Sequence, residues 1–548
     1  MPLRGLNEEE NSNALGDSDL IEAENIWFRG DTAGTRPGIE DETASEDYGT
    51  AISSSPTIQS GYEYRYAIDS GRKHVVVAGG KVYYEDGAEV TKGAGVTISS
   101  GADYVWTFAE HKDVLYMAGG ANSDTVTSWN GSGDLTKVTF QRDTNADGVA
   151  DTDIDAKYIY QKWNYGWLCG MRGTQADNNP MVVRYSQLNN MDSWPDANTI
   201  GGSSAIGGFD SFGDNYTTGF GSWTDNKGDW LIVLTRKCLY SVVQSPDPLM
   251  PFYIDSVIQN GCVHQNAYVS LGTDSGEAIY MSENGIHSLR QSQQHGMRAD
   301  KFLSWPIRNT FKELRRNRLK MACGTYWPDE GVVLFLVTHG HASSTHNLIL
   351  CLDVRNREEL SAETARWTIW RPSTAINRIW TARCGTAYTT APNRTFVYAG
   401  TSSLGRVCRF NPDSGSYSDR GTAYTTRLHT ASRNFKTPDV EKSLGDVWIN
   451  LQRGTGSSFV PVLNPVWDYG ARIGKVIPFT MTLSGAKFGS SLFGTGVWGV
   501  RNASQHKHLY AVGCGCSIGW RLQTTGINEP YLLTSLAYQL SGIGEEGD

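Results

Sequence analysis

Short runs of β-branched and aromatic residues, each closed by glycine or a polar turn, recur along most of the chain. His74-Val75-Val76-Val77-Ala78 leads through Gly79-Gly80 into Lys81-Val82-Tyr83-Tyr84, the pattern of two strands joined by a two-residue turn. Val114–Gly120 repeats its first half. Tyr165–Gly170, Asp229–Leu234 with Cys238–Val243, and Ala278–Ser282 with Gly285–Leu289 continue it. So do Gly331–Val337 with Leu348–Val354, and Thr395–Ala399 with Arg406–Phe410. The spacing is uneven, but roughly ten hairpins in residues 61–430 suit an antiparallel sheet repeated around an axis. The expectation is an all-β chain: an irregular β-propeller over 61–430, after an arm of residues 1–60. A β region rich in glycine loops, residues 431–548, follows, with strands such as Asp446–Leu451, Pro478–Leu483 and Gly519–Gln523.

One segment departs from strand periodicity. Ser304-Trp305-Pro306 reads as an N-cap followed by a first-turn proline. Ile307, Phe311 and Leu314 then share one helical face. A short basic helix over 304–320 is expected, with Arg308, Lys312, Arg315 and Arg316 on its polar side against Glu313. That patch suits phosphate, an acidic partner surface, another copy's N-terminal arm, or water alone.

Composition narrows the class. Sixty glycines among 548 residues exceed the ordinary share, yet only 18 prolines and 39 % hydrophobic residues exclude collagen and disorder. The longest apolar run barely exceeds Val332–Val337, too short to span a bilayer, and the start shows no secretory pattern. Stable membrane insertion is therefore not expected. The net charge of −10 is uneven. Residues 1–60 hold 13 acidic and 3 basic residues, so the rest of the chain is neutral. A neutral body is a poor nucleic-acid binder by bulk charge, and the acidic arm is expected to dock on a basic surface of a neighbouring copy.

Candidate chemistry is sparse. Asp143, Asn145, Asp147, the Val149 carbonyl, Asp151 and Asp153 follow the oxygen spacing of a calcium loop around Gly148. A structural Ca²⁺ site is one reading and an ordinary acidic Asx-turn loop is the other. His339, His341 and His346 lie close in sequence on a polar hairpin tip, with His506 and His508 further on. The nine cysteines contain no C-x-x-C pair and sit mostly in strand contexts, as buried thiols do. No nucleophile elbow, P-loop or H-E-x-x-H occurs, and Ser282-Glu283-Asn284-Gly285 is only a fragment of a sialidase box. An enzyme is not expected.

The order of segments resembles the propeller-containing tail proteins of short-tailed bacteriophages. The resemblance rests on Gly5-Leu6-Asn7, Asn25-Ile26-Trp27, Arg36-Pro37-Gly38, Val75–Tyr84 and Trp129-Asn130-Gly131. It continues through Arg184–Leu188 with Asp192-Ser193-Trp194, Asp229–Tyr240, Gly261-Cys262-Val263, Ser282–Leu289 and Glu441-Lys442. It implies a virion structural protein assembled in the host cytoplasm: a tail nozzle or hub ring, usually of six copies, below the portal and adaptor. Such a ring contacts adaptor proteins and tail fibres or spikes, retains packaged double-stranded DNA and opens for its ejection. It also implies a platform made jointly by the two chain ends, with the basic helix at a rim or between subunits. The alternative is a carbohydrate-binding or glycan-degrading propeller, such as a tail-associated depolymerase. It would need paired carboxylates about 5–9.5 Å apart beside stacked aromatics.

Overall fold

The computed structural model describes residues 3–8, 15–16, 18–41, 48, 50–66, 71–85, 87–138, 155–172, 181–194, 199–200, 215–225, 228–247, 251–272, 277–291, 298–355, 360–383, 394–412, 416–453, 458–481 and 504–542. Their strands form seven four-stranded antiparallel blades. The strands nearest the axis are Ile58–Tyr66, Trp106–His111, Asp155–Lys162, Thr217–Asp225, Tyr268–Ser270, Cys323–Trp327 and Ile376–Ala382. Each packs beside the next, and the last packs against the first, so the ring is closed.

Two-sided burial explains the uninterrupted apolar strands. Val75 and Val77 pack towards Trp106, Leu115 and Trp129 of the second blade. Val76 and Ala78 pack towards Trp380, Tyr398 and Val407 of the seventh. A strand sandwiched between blades needs apolar groups on both faces, so the alternation of a half-exposed sheet disappears. Close approach is paid for in side-chain volume: a Cβ at Gly61 would overlap the Trp380 ring, and one at Gly221 would overlap Tyr268.

Ring closure uses a strand remote in sequence. Ile39–Asp41 forms the outer edge of the seventh blade, pairing Ile39 with Phe410 and Asp41 with Cys408. Preceding residues belong elsewhere. Asp19–Glu24 joins the outer strand of the sixth blade, Arg366–Trp370, to Thr426–Thr430, and the sheet runs on through Ile518–Thr524 and Val462–Trp467. Ile26–Arg29 and Thr32–Thr35 form a second sheet with Tyr531–Gly542, Lys442–Arg453 and Ser504–Tyr510. Both chain ends thus build one platform against blade six.

The 304–320 segment departs from the expected helix. Its α-helical part is only Arg308–Lys312, flanked by 3-10 turns Trp305–Ile307 and Arg316–Met321. The apolar stripe holds, with Ile307, Phe311 and Leu314 buried. The helix stops because Leu314 pairs with His339 and the Arg315 N–H bonds the Thr338 carbonyl at 2.9 Å, drawing the chain against blade six. Ser304 is no cap: its hydroxyl accepts from the Ile286 N–H at 2.9 Å. Instead Glu8 caps the turn, its carboxylate accepting from Thr310 N–H at 2.8 Å and Thr310 Oγ1–H at 2.6 Å. The eight described cysteines are free thiols. Among the described residues no helix is long and apolar enough to cross a membrane.

Candidate functional site

The innermost strands enclose a central well of about 1070 Å³. Its wall is aromatic because the strand segments nearest the axis carry Tyr62, Phe108, Tyr160, Phe220, Tyr268, Tyr326 and Trp380. Tyr62 stacks on Phe108 across two blades, centroids 4.9 Å apart and planes 13° apart. Tyr160 and Phe220 stack at 6.3 Å between blades three and four. Apolar walls with a few fixed polar groups are the usual character of a small-molecule pocket.

The C-terminal ends of these strands gather Glu63, Arg65, Glu110 and Arg383. Glu63 bonds the Arg65 guanidinium at 3.2 Å, and also takes hydrogen bonds from Arg72 and from the Arg383 N–H. Glu110 accepts from the Arg65 N–H at 2.8 Å. Glu63 is thereby a crosslink between blades one and seven, and Glu110 between one and two. Burial, with Glu110 nearby, drives the Tyr62 hydroxyl well above its ordinary range, so that hydroxyl stays neutral.

Several cations lie towards the starts of these strands. Arg378 is buried and spends its protons on carbonyls: Nε on Gln59 O at 3.0 Å and Nη1 on Asn377 O at 2.7 Å. Arg172 likewise bonds Ala121 O at 2.6 Å and Gly119 O at 2.8 Å. Lys157, third in its strand, rests over the Tyr158 ring at 5.2 Å.

The residues singled out by sequence do not meet at this well. Asp143, Asn145, Asp147, Val149, Asp151 and Asp153 lie outside the described residues. The basic patch is dispersed. Arg308 stacks over Trp305 at 4.7 Å and Lys312 reaches Asn309 at 3.5 Å. Arg315 donates to the Ser343 carbonyl and Arg316 to the Glu283 carbonyl. His339 bonds Glu313 at 2.8 Å, whereas His346 is buried between Thr338 and the Met321 carbonyl. Among the described residues no group of three His, Cys, Asp or Glu is arranged to hold a metal ion.

Three acids of the N-terminal segment meet arginines of their own chain. Glu22 meets Arg427 and Arg521, each at 3.3 Å. Glu24 meets Arg427 at 3.4 Å, and Asp41 meets Arg420 at 2.5 Å and Arg406 at 3.2 Å. Sequence reading passed over Arg378 and Lys157. The signal for the first was a cation set directly before the apolar pair Ile379-Trp380 in a strand-like run.

No family model matches the chain, and no curated protein sequence matches it. Similar solved structures include the N-terminal domain of BBS1 in complex with ARL6, at 9 % identity and TM-score 0.35, covering 69 % of this chain and 99 % of that one. An exo-β-1,3-galactanase from Phanerochaete chrysosporium shares 9 % identity at TM-score 0.28, covering 81 % of this chain and 98 % of its own. Another from Clostridium thermocellum shares 9 % identity at TM-score 0.27, covering 63 % and 72 %. The propeller assignment stands on this chain's own strand pairing.

Proposed function

We propose that this protein is a non-catalytic scaffold that assembles with copies of itself through its platform, in the manner of a tail nozzle ring below a portal. The observation behind this reading is the platform's edge. Ser504–Tyr510 pairs on one side with Lys442–Arg453 and, among the described residues, with nothing on the other. Beside that edge Tyr510 is 77 % and Val512 80 % exposed, and Trp448 stacks on His508 at 5.3 Å. An open edge strand flanked by exposed apolar side chains is a template for pairing with another chain. A second copy of this chain fits because the ring implied by the sequence resemblance needs a heterologous contact that repeats and closes. DNA would pass through the bore of that ring, not through the propeller wells.

Sedimentation velocity on the full chain tests this. The expected particle has about six times the 60.2 kDa chain mass, and Y510S/V512S should dissociate it without changing the far-UV spectrum. A wild-type chain that stays monomeric at all concentrations would sink the reading.

The well favours a second reading, a glycan-binding propeller. Tyr62 on Phe108 and the nearby Trp380 offer flat faces beside fixed carboxylates and guanidinium groups. Screening purified chain against a glycan panel, with release of reducing ends as the second readout, separates the two. Saturable glycan binding lost in Y62A would favour this reading, and depolymerisation would remove the non-catalytic one.

A further inference from the structure

We propose that the Arg378 guanidinium, at the base of the propeller well, holds one carboxylate or phosphate group of a small ligand whose body lies among the aromatic rings of the wall. Arg378 lines the well and is only 2 % exposed. The register of its strand shifts between Ile376 and Arg378, which leaves Asn377 unopposed in the blade-seven hairpin. A bulge of this kind re-aims the side chain beside it. Here the guanidinium spans two seams, from Gln59 O of blade one at 3.0 Å to Met321 O at 3.4 Å, just before the inner strand of blade six. It therefore sits at the end of the well where the inner strands begin.

Its donors are incompletely used. Nε–H goes to Gln59 O, and Nη1 serves Asn377 O at 2.7 Å and Met321 O. Nη2, with two protons, has no partner among the described residues. A buried donor left unmet forfeits the hydration it had in water, and a charged one forfeits more. The charge is uncancelled as well, since Arg378 makes no ion pair among the described residues. The described acids that line the well are Glu63 and Glu110. Glu63 lies four residues beyond Gln59 on its strand, about 13 Å away at about 3.3 Å per residue. It is already engaged by Arg65 and Arg72.

Arg36, equally buried, shows what a counter-charge does. Burial opposes both guanidinium charges, but Asp419 turns the net shift of Arg36 upward, whereas Arg378 stays below the ordinary arginine range. Titratable neighbours do not alter this balance. His346 Nε2 lies 3.3 Å from Nη1, and burial keeps that ring uncharged. Cys323, lining the same end, stays a neutral thiol because burial pushes it up. A carboxylate or phosphate would accept from Nη2 and supply the missing charge. The ligand's ring would then lie against Tyr62, Phe108, Tyr160 and Phe220 in the cavity of about 1070 Å³. The site needs neither platform assembly nor a glycan, so it stands apart from both readings above.

Isothermal titration of the full chain at pH 7 and fixed ionic strength tests the proposal, with glucuronate, inorganic phosphate and neutral glucose in separate arms. One saturable anion site is expected, with glucose at least tenfold weaker than glucuronate. Glucuronate binding tighter than phosphate identifies a carboxylate-bearing ligand as the source, and the reverse a phosphorylated one. Arg378→Lys, which keeps the charge and loses the fork, should weaken the anion about tenfold. R420M, on the outer edge of blade seven, should leave it unchanged. Because Arg378 ties three blades together, a readout on wild type accompanies the variant: selenate diffused into crystals should give an anomalous peak beside the Arg378 guanidinium. No saturable anion binding, R378K binding as tightly as wild type, or selenate lodged only elsewhere would overturn the proposal. Equal binding of glucose and glucuronate would overturn it too, while leaving the glycan reading intact.

Discussion

Replacing Arg36 by methionine perturbs the point where the N-terminal segment passes from platform to propeller. The Arg36 guanidinium meets the Asp419 carboxylate through two bonds of 2.6 and 2.9 Å, and both side chains are 0 % exposed. Its Nε donates to Asn25 Oδ1 at 2.8 Å, and its face lies 3.9 Å over the Tyr424 ring. Asp419 also accepts from Ser373 N–H at 2.7 Å and Ser373 Oγ at 3.0 Å. R36M would strand a carboxylate in the interior, and breaking a buried pair by removing one partner costs about 3–5 kcal/mol. Taking the 548 residues as one cooperative unit, at about 2.1 cal/mol/K per residue, the unfolding entropy is about 1.2 kcal/mol/K. The melting temperature should therefore fall by about 3–4 °C in differential scanning calorimetry. R420M, which breaks the partly exposed pair with Asp41, should shift it by less than 1 °C. The double variant R36M/D419L should recover part of the loss, because no unpaired charge remains. An R36M protein melting within 1 °C of wild type would refute the reasoning that this buried pair holds the passage from platform to propeller.

Acid should destabilise the fold before carboxylates protonate. Burial holds His74 and His346 at about 3, with Arg378 and Arg318 adding to the effect on His346. A depressed folded pKa means stability that is full above about 6.5 and drains as pH falls towards 3. At pH 5 each histidine should contribute about 2 kcal/mol of lost stability, so the melting temperature should drop by about 3 °C relative to pH 7. H74Q, which keeps a group able to accept from Trp380, should flatten that slope, and an unchanged slope would contradict the assignment. Gly61 should not tolerate alanine, since its Cβ would overlap the Trp380 ring at the seam between blades one and seven. Overpacking of this kind costs about 1–3 kcal/mol, readable as a lower urea midpoint at constant slope. A midpoint equal to wild type would show that the seam can relax.

Hairpins were legible in sequence because their turn chemistry is local. Gly79 and Gly80, between Ala78 and Lys81, adopt φ of +55° and +79°, as a two-residue hairpin turn requires. The hairpin of the seventh blade, Thr395–Ala399 with Arg406–Phe410, was legible too, but the strand that closes that blade was not. Its outer strand is only Ile39-Glu40-Asp41, which has no strand periodicity and is placed by pairing with Cys408–Phe410, remote in sequence. The helix was half legible: the apolar stripe at Ile307, Phe311 and Leu314 is local, whereas the pairing that ends it at Leu314 is tertiary. The well was hidden for a different reason. Tyr62, Phe108 and Tyr160 come from three hairpins, and only ring closure brings their edges to one axis.

The same closure changes the meaning of the acidic N-terminal segment. As a mobile arm, its charge would favour a partner elsewhere. In the fold, Asp19–Glu24 extends the sheet of blade six and Ile39–Asp41 completes blade seven, so the segment joins the platform to two neighbouring blades. Glu22, Glu24 and Asp41 then face arginines from residues 371–521, which arrive later in the chain and from both units. Pairing them is a closure device whose contacts form only when the chain's ends have met. Rigid rotation of the propeller against the platform would break sheet hydrogen bonds at two places at once. In the ring proposed above, an opening motion would therefore be expected between copies, at the Ser504–Tyr510 edge, and not at the propeller–platform junction.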